Sequence, residues 1–236
     1  MHSDLFKQYR LVTIDLPSHG KSDEIPADAD FSLPAMAGIV AAAVKQLIND
    51  QPFIICGISL GTTIVAEMLM YNLTPGGLLL AGPCIAGEGF ELDKMMLPSA
   101  DVSAVFADNV PSETVNKYAG ETSLSFNVDD RQLFLEDYNA VKGLFRTSLY
   151  ATIAAVNYND QIDIIKKSNC PVCIVFGKDE KVVNTDYLNN AALNTWNNRN
   201  YSVSKVAIRC KAFNTLLPFL IVVSITDLST ANIFAD

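Results

Sequence analysis

Histidine is nearly absent from this chain: His2 and His19 are the two among 236 residues. No imidazole is therefore available beyond residue 19. Basic residues are also sparse, with 17 Lys and Arg against 26 Asp and Glu, for a formal net charge of −9. That balance excludes a nucleic-acid scaffold, which needs clustered Lys and Arg against phosphate. Long apolar runs are missing as well. The longest, Leu216–Ile225, is broken by Pro218 and Ser224. It falls short of the ~20 apolar residues of a membrane span, so a buried strand or helix segment is expected. Residues 1–10 hold no apolar stretch flanked by bases, so no signal peptide is expected. Five cysteines without a secretory leader point to reduced thiols and a cytoplasmic location. No repeat of fixed period occurs, which removes solenoids and propellers.

What is present is apolar content. Hydrophobic residues make up 50% of the chain, enough for a large core and too much for disorder. At ~100–200 residues per domain, the length suits one domain, or one domain with an insertion. Short apolar runs alternate with helical patterns. Leu11–Asp15, Phe53–Cys56, Leu78–Ala81 and Val172–Phe176 read as strands. Leu33–Ile48, Leu60–Tyr71 and a stretch near Tyr187–Trp196 read as helices, the first with Met36, Ile39, Val40, Val44, Leu47 and Ile48 at helical spacing. This alternation predicts α/β architecture, a mostly parallel sheet with flanking helices. Residues 88–150 interrupt it with a helical, acidic stretch. There Phe134, Tyr138, Val141 and Phe145 share one helical face, either a core stripe or the lining of a lid over a pocket. The expected organisation is 1–87, first part of the core; 88–150, an inserted helical cap; 151–198, second part of the core; and 199–236, a tail of different texture.

Gly57-Ile58-Ser59-Leu60-Gly61 fits G-x-S-x-G between a buried strand and a helical pattern, the context of a nucleophile elbow. Turning from strand to helix in so few residues strains the backbone at Ser59. Gly57 and Gly61 remove side chains that would collide there. The hydroxyl then projects at a helix N-terminus, where the dipole favours developing negative charge. The Leu60 N–H becomes a donor to an oxyanion. The bland alternative is an N-cap serine flanked by packing glycines.

Through these residues and two further segments, the chain resembles the α/β-hydrolase superfamily. Tyr9–Ser22, with Asp15-Leu16-Pro17-Ser18-His19-Gly20, is similar to the family's strand and loop ending D-x-P-G-H-G-x-S, Ser18 standing in place of a glycine. Pro171–Val183 is similar to the strand and turn that carry the triad acid. The resemblance implies a hydrolase sheet with a helical cap, a small-molecule carbonyl substrate, and no metal or organic cofactor. It implies Ser59 as nucleophile. It leaves Glu180, favoured by register, and Asp179, favoured by residue type, open as the acid. The family order is Ser, acid, His, and no histidine follows Glu180. His19 matches the loop histidine, for which local hydrogen bonding is expected. The resemblance further implies that the chain begins inside the family domain, without several edge strands and the second oxyanion donor. A frame change or intron read-through would produce a tail such as 199–236.

Two functions from different classes follow. One is a serine hydrolase of small esters, lactones or related carbonyl compounds, with acyl transfer to another acceptor as its variant. The other is a non-catalytic relative that binds a ligand or partner. Cys170-Pro171-Val172-Cys173 opens a strand, so two small buried hydrophobes are expected rather than a redox pair or zinc site. Cys56, Cys84 and Cys210 have no partner pattern. Gly87-Glu88-Gly89 lacks the strand–helix context of a dinucleotide loop. Oligomeric state is not encoded in any of these patterns.

Overall fold

The computed structural model describes residues 10–48, 50–121, 128–141, 143–196, 201–203 and 220–224. His2, Cys210 and most of the 199–236 tail lie outside the described residues.

Six strands form one sheet: β1 (Arg10–Ile14), β2 (Phe53–Ile58), β3 (Gly77–Ala81), β4 (Val172–Gly177), β5 (Tyr201–Val203) and β6 (Leu220–Ser224), in the order β1-β6-β2-β3-β4-β5. β2, β3, β4 and β5 pair in parallel, with Ile54 opposite Gly77, Leu78 opposite Val172 and Val175 opposite Tyr201. β6 runs antiparallel to both its neighbours, Val222 standing opposite Val12 on one side and Ile55 on the other. The described part of the last apolar run, Leu220–Ser224, is thus a strand, inserted between β1 and β2 rather than added at an edge. β1 and β2 are parallel to each other with one strand width between them, and β6 occupies that width.

The helix α1 (Leu33–Ile48) connects β1 to β2. Ser32 precedes it, its Oγ accepting the Ala35 N–H at 3.3 Å, and Pro34 sits in the first turn, where its missing N–H costs nothing. Leu33, Met36, Ala37, Val40, Ala41 and Val44 are buried at helical spacing, while Ile39 is exposed. α2 (Leu60–Met68) continues into a 3-10 turn, Leu69–Tyr71. Every residue from Gly61 to Met68 is buried, as expected for a helix covered on all sides. It packs against β2, α1 and α8 (Gln161–Ser168).

Between β3 and α8 the chain forms α3 (Leu92–Met95), α4 (Ser103–Phe106), α5 (Ser112–Glu121), α6 (Val128–Ala140) and α7 (Gly143–Ala154). Phe134, Tyr138, Val141 and Phe145 are all buried. The single helical face expected for them is instead broken at Val141, so Tyr138 and Phe145 sit on two helices, α6 and α7. The helix expected near Tyr187–Trp196 does not form. Residues 185–190 are turns, because the asparagines compete with the helix for backbone donors: Asn184 Oδ1 accepts the Asp186 N–H at 3.1 Å. Asp160 caps α8 through the Asp163 N–H at 2.8 Å, and Asn169, at φ 53°, ends it.

Candidate active site

The bend between β2 and α2 is strained. Ser59 has φ 49° and ψ −123°, a conformation that costs a non-glycine residue about 1–3 kcal/mol unless its surroundings hold it. Three hydrogen bonds do. The Ser59 N–H donates to the Ala81 carbonyl at 3.0 Å, and the Ser59 carbonyl accepts the Thr62 N–H at 2.8 Å and the Thr62 hydroxyl at 2.6 Å. Gly57 makes the tight turn possible, since a Cβ there would lie 2.7 Å from the Gly61 carbonyl oxygen. Thr62 Oγ1 also accepts the Cys84 N–H at 2.9 Å, tying the bend to the loop after β3. Neither Thr62 nor Cys84 carries a motif signal.

Ser59 is half-buried and lies where two cavities meet. One is lined by Cys84, Met95, Tyr118, Gln161 and Val182 among others. The second, a small one, is lined by His19, Tyr118, Tyr138, Phe145 and Arg146. Ser59 and Leu60 border both. The Leu60 N–H is at the first position of α2, where a helix has no i−4 carbonyl for it. Cys84 Sγ stands 3.9 Å from Ser59 Oγ and 3.6 Å from the Gly82 carbonyl. Burial pushes its thiol up to about 12, so it stays protonated and can act only as a weak donor.

The two candidate carboxylates differ. Asp179 is exposed on the turn after β4. Glu180 is half-buried, and its Oε1 accepts the N–H groups of Lys181, Val182 and Val183 at 3.1, 3.0 and 3.3 Å. Its charge also reaches the cleft. Burial is the main cause that holds the Tyr118 and Cys84 protons, and Glu180 adds to it at both.

His19 is buried against the second cavity. Its Nδ1 lies 2.9 Å from the Pro17 carbonyl, and its ring meets Phe145 edge-on, centroids 4.3 Å apart at 85°. Burial lowers its pKa to about 4, helped by Arg146 and opposed by the Pro17 bond and by Asp15. The expected local hydrogen bond is present; the shared cavity with Ser59 was not legible from sequence distance. The loop that carries His19 turns through Ser18 at φ 65° and Gly20 at φ 48°. Ser18 fills a glycine-type position and offsets the strain by accepting the Ile25 N–H on Oγ at 2.9 Å. At Gly20 a Cβ would run into the Asp15 carboxylate.

Among the described residues no group of three His, Cys, Asp or Glu is arranged to hold a metal ion, and no helix is long and apolar enough to cross a membrane. Cys170 and Cys173 are buried thiols, each pushed up to about 11 by burial. Cys170 Sγ donates to the Pro75 carbonyl at 3.3 Å.

A family model described as the alpha/beta hydrolase fold matches residues 1–76. No curated protein sequence matches the chain. Solved structures do. The N-acyl homoserine lactonase AidH complexed with N-butanoyl homoserine is similar at 24% identity and TM-score 0.70, over 81% of this chain and 69% of that one. A thermophilic esterase from Thermogutta terrifontis is similar at 15% identity and TM-score 0.56, over 81% and 70%. The esterase RhEst1 from Rhodococcus sp. ECU1013 is similar at 20% identity and TM-score 0.55, over 82% and 70%. Likeness at such identities establishes shared architecture.

Proposed function

On a chain that has the α/β-hydrolase fold, we propose that the site at the β2–α2 bend is that of a serine hydrolase acting on a small ester, lactone or related carbonyl compound. The observation that carries this reading is Ser59 itself: a hydroxyl in a strained backbone conformation, at a helix N-terminus, bordering two cavities. Ser59 Oγ adds to the carbonyl carbon, its proton passing to solvent in the cleft, since no imidazole among the described residues is hydrogen-bonded to it. The Leu60 N–H donates to the resulting oxyanion. Collapse expels the alcohol oxygen, which takes up a proton from solvent, and water then cleaves the acyl-serine ester, releasing the acid and restoring the Ser59 hydroxyl. Glu180 is the acid of this reading, supported over Asp179 by its burial, its hold on three backbone N–H groups and its charge at the cleft. The helices of 88–150 form the cap, supported by the Tyr118, Tyr138 and Phe145 side chains that line the cavities beside Ser59. The esterase and lactonase neighbours support the substrate class.

A second reading rests on one observation. His19 is the one histidine among the described residues, and its Nδ1 is engaged by Pro17. A site without an imidazole base loses about 10²–10⁴-fold in rate, which favours a protein that binds acyl compounds without turning them over. Hydrolysis of p-nitrophenyl butyrate separates the two. Turnover abolished by Ser59→Ala supports the hydrolase; saturable binding without turnover, unchanged by Ser59→Ala, supports the binder.

A further inference from the structure

The second cavity beside Ser59 has one charged side chain in its lining, Arg146 of α7. Val105, Val141, Phe145 and Leu149 are apolar, and burial keeps His19 and Tyr118 neutral. Arg146 is 6% exposed, and it is the one buried Lys or Arg among the described residues. An ion taken out of water needs a counter-charge and partners for its donors.

Arg146 has neither in full. The ion pairs among the described residues, Lys94–Glu91, Lys117–Glu121 and Lys167–Asp163, do not include it. Asp108 supports its charge only from beyond ion-pair distance, with one oxygen held by the Thr147 hydroxyl at 2.7 Å. Of the five N–H donors of a guanidinium, one on Nη2 serves the Tyr138 carbonyl, and Cζ lies 3.9 Å from the Tyr138 ring centroid. Two adjacent N–H groups remain as a fork, whichever hydrogen that bond uses. They are not sealed in. The buried atoms without a partner among the described residues are His19 Nε2, Asp108 Oδ1, Glu121 Oε2 and Tyr138 Oη, and no Arg146 nitrogen is one of them. On a residue that lines the cavity, the surface these nitrogens keep faces the cavity.

A guanidinium fork matches a carboxylate through two parallel hydrogen bonds, and apolar surroundings strengthen them. The cavity is of about 30 Å³, room for about two or three water-sized groups. A flat carboxylate suits that space, and a bulkier phosphate does not.

We propose that Arg146 anchors an anion subsite beside Ser59, one that selects carbonyl compounds carrying a free carboxylate, such as the monoesters of short dicarboxylic acids. The carboxylate sits in the guanidinium fork while the ester carbonyl lies at Ser59. This rests on the hydrolase reading for the place of the reacting carbonyl, but recognition of the anion does not require turnover. Arg146 acts in binding and specificity and takes no part in bond making.

The test is calorimetric binding to Ser59→Ala protein of the monomethyl esters of succinic, glutaric and adipic acid at neutral pH. Each is compared with the methyl ester in which a primary amide replaces the carboxylate. The expected result is that at one length or more the anion binds about 10- to 100-fold more tightly than its amide, as charge-assisted hydrogen bonds predict. Adding Arg146→Gln removes that preference. The anion also shifts the imidazole Cε1–H proton signal of His19, assigned with His2→Ala, because His19 and Arg146 line the same cavity. Equal or absent binding of anion and amide at every length, the outcome if Arg146 only ties α7 to α6, overturns the proposal. So does a preference that survives Arg146→Gln, or an anion that binds without moving the His19 signal. If the Arg146 variant does not fold, the paired esters and the His19 signal decide the matter on Ser59→Ala protein alone. Covalent labelling of Ser59 in the unmodified chain reports separately on the hydrolase reading, so the two can fail independently.

Discussion

Gly57 and Gly61 touch through a contact that no other residue at position 57 permits: an added Cβ would stand 2.7 Å from the Gly61 carbonyl oxygen and 2.9 Å from the Thr62 Cα. Both obstacles are backbone and neither can rotate away. Gly57→Ala is therefore expected to shift the start of α2 and move the Ser59 hydroxyl and the Leu60 N–H off their geometry. The expected cost is about 1–3 kcal/mol of stability, with a larger loss of reactivity at Ser59. Denaturant unfolding and serine labelling measured on the same variant check both parts.

His19 titrates far from solution behaviour. Its folded pKa is about 4, against 6.5 for a free imidazole. The unfolded chain therefore takes up a proton between pH 6.5 and about 4 while the folded chain does not, and stability falls with pH across that window. Above pH 6.5 the group contributes no slope. Proton NMR of the imidazole Cε1–H signals checks this, with one signal, assigned by the His2→Ala variant, expected to have its midpoint near 4. A midpoint above 6 would mean that the ring is not buried beside Arg146 and Phe145.

Glu67 joins α2 to the chain entering α8. It is fully buried, accepting the Asn159 N–H at 2.9 Å and Asn159 Nδ2 at 2.6 Å, while Gln161 Nε2 donates to it at 3.1 Å. Gln161 in turn accepts the Ala86 N–H at 2.9 Å through Oε1. Glu67→Ala strands these donors in the interior, and a loss of about 2–5 kcal/mol is expected. Equilibrium unfolding in urea gives the number. A variant within 0.5 kcal/mol of the parent would contradict the network, that being about the spread of surface substitutions.

β6 has hydrogen-bonded neighbours on both sides, which makes it an interior strand despite its place near the end of the chain. Proline is excluded from such a position because it cannot donate to the ladder. Val222→Pro is expected to cost about 3 kcal/mol or more and to expose the facing edges of β1 and β2, with aggregation as a consequence. Circular dichroism melts and light scattering read the two effects.

Much of the frame was legible because it is written in local patterns. The buried face of α1 repeats at helical spacing from Leu33 to Val44, and the continuous apolar runs at Phe53, Leu78 and Val172 mark strands covered on both faces. The bend at Ser59 was legible because glycines on either side of a serine, between strand and helix, have a steric reason to be there. The place of β6 was not, since an apolar run does not reveal which strands it will enter or in which direction. The break at Val141 was hidden because apolar spacing continued across it. The turns at 185–190 were misread because asparagine side chains compete with helix formation through hydrogen bonds that apolar spacing does not register. The meeting of His19, Tyr138 and Ser59 depends on three distant segments converging, and no spacing rule carries that.

The central claim is that Ser59 is a nucleophile. Incubation of the whole chain with an alkyl fluorophosphonate, carried over hours because a missing base slows the reaction by about 10²–10⁴-fold, followed by peptide mass mapping, tests it most directly. The account predicts one phosphonyl adduct, on Ser59, lost in Ser59→Ala. No adduct, or one that persists in Ser59→Ala, would contradict it.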